Sequence, residues 1–251
     1  MAREVIRLAP GRALPVLLLV LLLQACTWGV SNFTAADRRP DFVVLLQPPP
    51  PPGSLADRDD LATLLAVQAA RTPAMEAAAR ADTEETAFRL LAGMGIRLDP
   101  ASLPATASLF ARLHADESAL IAPAKRHWHR SRPFVASPAV RPCIMQLWWS
   151  ASYPSGHAAF AYAAAEVLVD IVPEQQDAIR ARAATYAGAR VVCGVHYPSD
   201  IEAGRLAGLS IAAAMRDDPR YRAALAAAEP ELRQALGLPV GRISVAGPAA
   251  R

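Results

Sequence analysis

Alanine restricts what this chain can fold into more than any other feature. Apolar residues make up 53% of the 251-residue sequence, and alanine dominates them, gathering in runs such as HAAFAYAAAEVLVDIV at 157–172. Alanine has the highest helix propensity and lacks the branched side chain that favours a strand. Few stretches alternate apolar and polar residues as a half-buried strand would, so helices are expected throughout. DRDDLATLLAVQAAR (57–71) opens with acidic residues and carries an apolar stripe at Leu61, Leu64, Leu65 and Val67. PAMEAAARADTEETAFRLLAGMG (73–95) continues the helical pattern and ends on glycines. LPATASLFARLHADESALIA (103–122) is a further helix that Pro123 is expected to kink or restart. Segments 157–172, 174–192 and 200–216 and a C-terminal pair near 218–236 complete the set. The expected fold is an all-α, single-domain helical bundle over residues 43–240. The length suits one sizeable domain. A formal charge of +3, much of it in the first dozen residues, gives no footprint for a nucleic-acid polymer.

The N-terminus reads as an export signal. Arg3, Arg7 and Arg12 precede the apolar run ALPVLLLVLLLQA, which stops at Cys26 and is short for a membrane span. Residues 1–25 are therefore expected to be a signal peptide. LQAC resembles the lipobox of bacterial lipoproteins, in which the cysteine becomes the lipidated first residue. Gln24 departs from the small residue usual there, and ordinary cleavage nearby is the alternative. Export to the periplasm or cell envelope, with any membrane attachment through a lipid on Cys26, follows in either case. In that oxidising setting Cys143 and Cys193 form an even pair. A bridge between them would close a loop of about 50 residues, worth about 3–4 kcal/mol in the chain-entropy estimate; two buried thiols are the alternative. Residues 26–42 are expected to be a tether. The five prolines 48–52 favour polyproline II, as a spacer or as a strap over the domain. The end of the chain, 241–251, is expected to be a frayed tail.

Three polar clusters carry the chemistry. Lys125 is the single lysine among 26 basic residues, and it stands seven positions before Arg132 and Pro133. That spacing puts the two cations on one face if the segment is helical, with Pro133 marking the element's end. Such a pair suits an oxyanion, which the arginine fork can grip through two bonds. In the second cluster, Pro154-Ser155-Gly156-His157 opens the alanine-rich helix. A helix N-terminus is a ready anion site, Gly156 permits close backbone approach, Ser155 adds a hydroxyl, and His157 stands placed for proton transfer. The third cluster, ARVVCGVHYPSD, offers Arg190 as a further fork and spaces His196 four residues before Asp200. The carboxylate can then hold one imidazole nitrogen and leave the other as base or nucleophile.

Together, Lys125-x6-Arg132-Pro133, Pro154-Ser155-Gly156-His157 and Arg190-x5-His196-x3-Asp200 resemble the three-part signature of the type 2 phosphatidic acid phosphatase superfamily. That group also includes the vanadium haloperoxidases. LLQPPPPPGS and SYPSGH further resemble its bacterial class A non-specific acid phosphatases, and the resemblance extends over residues 43–237. It implies that Lys125, Arg132, Ser155, the Gly156 backbone and Arg190 bind phosphoryl oxygens. It also implies that His196, oriented by Asp200, attacks phosphorus and that His157 protonates the leaving alcohol. No metal or other cofactor is implied, which agrees with the lack of a metal-ligand cluster in the sequence. The implied activity is metal-independent hydrolysis of small phosphate monoesters, with phosphoryl transfer to other alcohols as a side activity and a homo-oligomer as an open form. Ala189 and Ala158 depart from the serine and threonine usual at those places, which puts absolute rate and substrate preference in question.

Three rivals share parts of the pattern. A membrane lipid phosphatase would need several spans, and no apolar run after residue 25 is long enough. A vanadate-dependent haloperoxidase shares the anion site, but its relatives are generally longer. A non-catalytic phosphate-binding envelope lipoprotein would not need His157, His196 and Asp200 intact. His127 and His129 are expected to face solvent, with the pocket rim as the alternative, and His114 is expected at the surface. Trp148, Trp149 and Tyr153 either stack on an aromatic substrate or pack. Gly204 and Gly208, four apart, mark a close helix contact, and Glu202 is expected to be solvated.

Overall fold

The computed structural model describes residues 33–241, so the expected signal peptide, Cys26 and the tail beyond Gly241 lie outside the described residues. Among those described, the regular elements are all helical. They comprise α1 (Phe42–Leu45), α2 (Leu55–Ala70), α3 (Pro73–Ala81), α4 (Ala87–Ala92), α5 (Pro104–Trp128), α6 (Pro133–Ala136), α7 (Gly156–Ile171), α8 (Gln176–Val192), α9 (Pro198–Arg216) and α10 (Pro219–Ala235). Helix starts follow side-chain chemistry. Ser54, Thr72, Thr86 and Ser155 each cap a helix by accepting a backbone N–H three residues on.

Helix α7 is the centre of the packing, with thirteen buried residues, seven of them before Ala165. Its alanines keep it thin, so α9 can lie against it at backbone distance. A Cβ on Gly208 would fall 2.3 Å from the Ala159 carbonyl oxygen, and one on Gly204 would fall 2.4 Å from that of Ser155. These are the close contacts the two glycines signal in the sequence. Helix α8 packs along α7 as well, and α5 joins them through Leu113, Leu120 and Ile121 in the main core. The stripe of α2 buries Leu64 against Val140 and Val191.

Four local expectations give way. The helical pattern of 73–95 breaks at 82–86, because Asp82 is buried and takes Arg182 (2.7 and 2.9 Å) and Arg89 (2.7 Å), while Thr86 starts a new helix. Pro123 does not end or restart α5, which runs through it to Trp128. It lies on the exposed face together with Ala119, whose carbonyl loses its helical donor where water can replace it. The C-terminal pair is one helix, α10, with Pro230 inside it. Part of the expected tether, 33–42, is built into the domain instead. Phe33 is fully buried, its N–H donates to Asp116 (2.5 Å), and its ring meets Tyr221 edge-on and lies under the Arg112 guanidinium. Burying that ring, worth about 1.5–3 kcal/mol, favours the docked chain over a free tether.

The prolines are a strap. Pro49–Pro52 line a groove with Trp128, Arg130 and Tyr197, and the preceding Gln47 carbonyl accepts from the Tyr153 hydroxyl at 2.5 Å.

Candidate active site

The three clusters meet at one cavity of about 410 Å³, lined by Lys125, Arg132, Gly156, His157, Arg190 and His196 together with Thr83, Glu85, Ser150 and residues 144–146. Lys125 and Arg132 reach it differently from the one-helix expectation. Helix α5 ends at Trp128, and His129 turns left-handed (φ 47°), its N–H donating to the Lys125 carbonyl. Arg132 then caps the short α6, so Pro133 begins an element rather than ending one. Proline suits that first position because no helical donor is needed there.

His196 sits in the loop between α8 and α9, 4% exposed. Its Nδ1–H donates to Asp200 Oδ2 (3.2 Å), which leaves Nε2 as the acceptor, 3.1 Å from Arg132 Nη1. Burial, aided by the charges of Arg132 and Lys125, pushes the His196 imidazole down to about 3 against the pull of Asp200. The ring therefore stays neutral over the working range of most enzymes, with a free-base nitrogen turned to the cavity. Asp200 lies behind the ring, fully buried, and also accepts from the Tyr197 N–H (2.9 Å) and Arg130 Nη1 (2.8 Å). Burial alone would raise its carboxyl, but the hydrogen bond from His196, the charge of Arg130 and the Tyr197 N–H hold it below its ordinary value.

The cations are ordered by backbone and hydroxyl acceptors. Arg132 donates to the Ser150 carbonyl (2.9 Å), the Val195 carbonyl (2.9 Å) and Ser150 Oγ (3.0 Å). Lys125 Nζ donates to the Ala151 carbonyl (2.9 Å), and Arg190 Nη2 donates to that of Ala79 (2.9 Å). Burial lowers all three, Lys125 to about 8 and Arg132 to about 10, and gathering like charges adds to the effect at Lys125 and Arg132. Three cations confined this way favour a multiply charged anion. The α7 N-terminus adds its backbone at Gly156. Ser155 does not line the cavity; it is fully buried and its Oγ accepts from the Ala158 N–H (3.2 Å).

His157 lines the same cavity and stacks on the Tyr186 ring, at 4.4 Å and nearly parallel. Its Nδ1 lies 2.7 Å from Glu85 Oε1, while its Nε2 is buried without a hydrogen-bond partner. Burial and the Arg190 charge lower its pKa, and Glu85 acts against them. Glu85's other oxygen takes His114 Nε2 at 2.8 Å, so His114, expected at the surface, is half-buried and paired.

Several of these residues carry no signal in the sequence. Glu85 is one of 23 acidic residues and stands 72 positions from His157. Arg130 is spread between Asp200, Ser199 Oγ (2.7 Å), Asp60 (2.8 Å) and Asp57 (3.3 Å), and rests over the Tyr197 ring. Asp60 also accepts from the Ser199 hydroxyl and N–H. Glu117, buried beside Gly156, has one oxygen without a partner. Cys143 and Cys193 are joined in a disulfide that closes a 50-residue loop. It anchors the 144–150 segment, on which Trp148 and Trp149 are exposed at 67% and 65%. Tyr153, by contrast, packs against Trp128. Among the described residues, no group of three or more His, Cys, Asp or Glu is placed to hold a metal ion, and no helix is long and apolar enough to cross a membrane.

Comparison with known proteins places this constellation. Residues 106–223, which include Lys125, Arg132, His157, Arg190, His196 and Asp200, match the PAP2 superfamily. An acid phosphatase of Zymomonas mobilis is 34% identical over 146 residues, 56% of this chain and 54% of that protein. A non-specific acid phosphatase of Providencia stuartii is 38% identical over 112 residues (43% and 45%), and one of Salmonella typhimurium is 32% identical over 143 (55% and 57%). The chain thus spans about half the length of the curated relatives it matches. The fold is similar to that of a transmembrane PAP2-type phosphatidylglycerolphosphate phosphatase from Bacillus subtilis. The TM-score is 0.51 at 20% identity, over 65% of this chain and 86% of that one.

Proposed function

We propose that this protein is an exported acid phosphatase that hydrolyses small phosphate monoesters through a phosphohistidine on His196. The observation that carries the reading is the His196 ring. One nitrogen is held by a buried carboxylate, and the other opens as a free base onto a cavity rimmed by Lys125, Arg132 and Arg190. The names of the three phosphatase relatives support the same chemistry.

In this reading the ester's phosphoryl oxygens take Lys125, Arg190 and the Gly156 N–H, together with the Arg132 Nη1 proton that otherwise points at His196. His196 Nε2 then forms a bond to phosphorus as the P–O bond to the alcohol breaks. His157 gives its Nε2 proton to the departing oxygen. Asp200 stabilises the charge that develops on His196, as phosphoryl transfer is largely positioning and electrostatics. In the second half water attacks phosphorus as the bond from phosphorus to His196 Nε2 breaks, His157 takes the water's proton, and phosphate leaves. An alcohol in place of that water gives the transfer side activity. Side chains and backbone supply every group these steps use.

The pH range follows from the two imidazoles. His196 must be neutral and is, because burial pushes it down to about 3. His157 must be protonated, and burial with the Arg190 charge moves its titration to the acid side of the ordinary 6.5. Activity is therefore expected between the two and falls as pH rises past the lower-shifted His157. Export, with lipidation at Cys26 or cleavage beside it, rests on the basic and apolar N-terminus, and mass spectrometry of the mature protein decides it.

The test is phosphate release from p-nitrophenyl phosphate with EDTA present, with acid-quenched enzyme assayed for an acid-labile phosphoryl group. The expected result is turnover with a trapped phosphoenzyme, both lost in His196→Ala. Turnover that survives His196→Ala, or a folded wild type that is inert at every pH yet binds vanadate, overturns the reading.

A further inference from the structure

Resting on the phosphatase reading, we propose that Glu85 is the positioning residue of the leaving-group acid, holding His157 by Nδ1 and charging it for donation from Nε2, with His114 fixing the carboxylate's other oxygen. The cavity has two imidazoles, and each is backed by a carboxylate at Nδ1. Asp200 serves His196 at 3.2 Å, and Glu85 serves His157 at 2.7 Å. Glu85 comes from the break between α3 and α4, before residue 106, so the match to the PAP2 superfamily does not include it.

Three observations carry the assignment. First, the Glu85 carboxylate is bidentate: Oε1 to His157 and Oε2 to His114 Nε2, at 2.7 and 2.8 Å, and it lines the cavity. Its rotamer is therefore fixed from both sides. Second, His157 Nε2 is buried and without a hydrogen-bond partner, as a proton donor to a bound ester would be. The parallel Tyr186 ring prevents the imidazole from tilting away. Third, a carboxylate is needed. His157 is 6% exposed and faces the Arg190 cation, both of which oppose a charged imidazole. Tyr186 on α8 is neutral, and Asp82 reaches the ring through its backbone. On α5, Glu117 faces Glu85 and His114, and its carboxyl is neutral at acidic pH because burial pushes it up to about 8. Glu85, kept ionised by its two histidines against burial, is then the negative charge in contact with the His157 ring.

The proton account is closed. His157 loses one proton to the alcohol and recovers one from the attacking water, while Glu85 stays ionised throughout. Its contribution is orientation and charge, which makes it a positioning residue.

Glu85→Gln isolates that contribution. Glutamine keeps an oxygen to accept from His157 Nδ1–H and removes the charge, while its amide can donate to His114 only once that ring's Nε2 is unprotonated. The readout is kcat/KM, which stops at phosphoryl transfer to His196, for an alkyl ester (glycerol phosphate) and for p-nitrophenyl phosphate. An alkoxide needs the acid and nitrophenolate does not. Glu85→Gln is expected to cost about 100-fold on the alkyl ester and less than about 5-fold on the nitrophenyl ester, the size typical of losing a general acid. The His157 imidazole, followed by NMR, should titrate at lower pH in the variant than in the wild type. Equal losses on both esters with an unchanged His157 titration would overturn the proposal and leave Glu85 a structural residue. A wild type inert on both esters would instead refute the phosphatase reading, and the titration alone would still decide whether Glu85 sets the charge of His157.

Discussion

Replacing Gly204 by alanine adds one carbon at the contact between α9 and α7, and the structure sets its cost. The new Cβ would lie 2.4 Å from the Ser155 carbonyl oxygen, 2.8 Å from the Ala158 Cβ and 3.2 Å from the Ala159 nitrogen. Ordinary carbon–oxygen contacts are about 3.3–3.6 Å, so the first turn of α7 must retreat by about 1 Å. No side-chain rotation relieves the clash, because every obstacle is backbone or a Cβ. Overpacking of this kind costs about 1–3 kcal/mol, and the upper end applies where the backbone itself must move. Alanine returns about 1 kcal/mol over glycine inside a helix. The net is a loss of about 2 kcal/mol, or about 4–8 °C in Tm for a chain this size. Gly188 in α8 is the control, since a Cβ there meets nothing within 4 Å. The same substitution should raise stability by about 0.5–1 kcal/mol. Ser155 also donates its N–H to the Asp200 carbonyl (3.0 Å), so moving it shifts Gly156 and His157 relative to His196. A misplacement of about 1 Å costs about 100-fold in kcat. Thermal unfolding by circular dichroism and turnover of p-nitrophenyl phosphate read the two effects. Gly204→Ala with wild-type Tm and kcat would refute the backbone-contact account, and a destabilised Gly188→Ala would refute the propensity correction.

Two further outcomes are expected. Cys143→Ser with Cys193→Ser removes the closure of a 50-residue loop and should cost about 3–4 kcal/mol in denaturant unfolding, while a reducing agent should lower the wild type to the same midpoint and leave the variant unchanged. The Glu117 carboxyl, pushed by burial from 4.5 up to about 8, favours folding below 4.5 and loses that contribution as pH rises toward about 8. Glu117→Gln should therefore gain stability relative to the wild type across that interval, and parallel stability–pH curves for the two would contradict it.

What the sequence discloses divides by how each contact is built. His196 and Asp200 are readable because four residues at a helix start bring their side chains together without help from the rest of the fold. Gly204 and Gly208 are readable because i, i+4 glycines on one helix have few other uses. Lys125 and Arg132 are readable as a pair, yet the helical spacing that suggests it is not the cause; a left-handed His129 turns the chain between them. Glu85, Arg130 and Asp60 are invisible, since ordinary charged residues acquire their roles only through partners 70 or more positions away. Phe33 misleads for a related reason. Its polar neighbours describe the local chain, and its burial is decided by Tyr221 and Arg112 far along it.

The two carboxylates behind the two imidazoles are not mounted alike. Asp200 is fully buried, tied to Arg130 and through it to Asp60 on α2 and Ser199 on α9. Glu85 stands on the short 82–86 connection, its side chain 31% exposed. In the proposed mechanism the support of the nucleophile is thus welded to the interior, whereas that of the leaving-group acid hangs from an edge of the domain. On that proposal, substitutions in the 82–86 connection would alter the delivery of the proton and so the choice of leaving alcohol, while the mounting of His196 stayed intact.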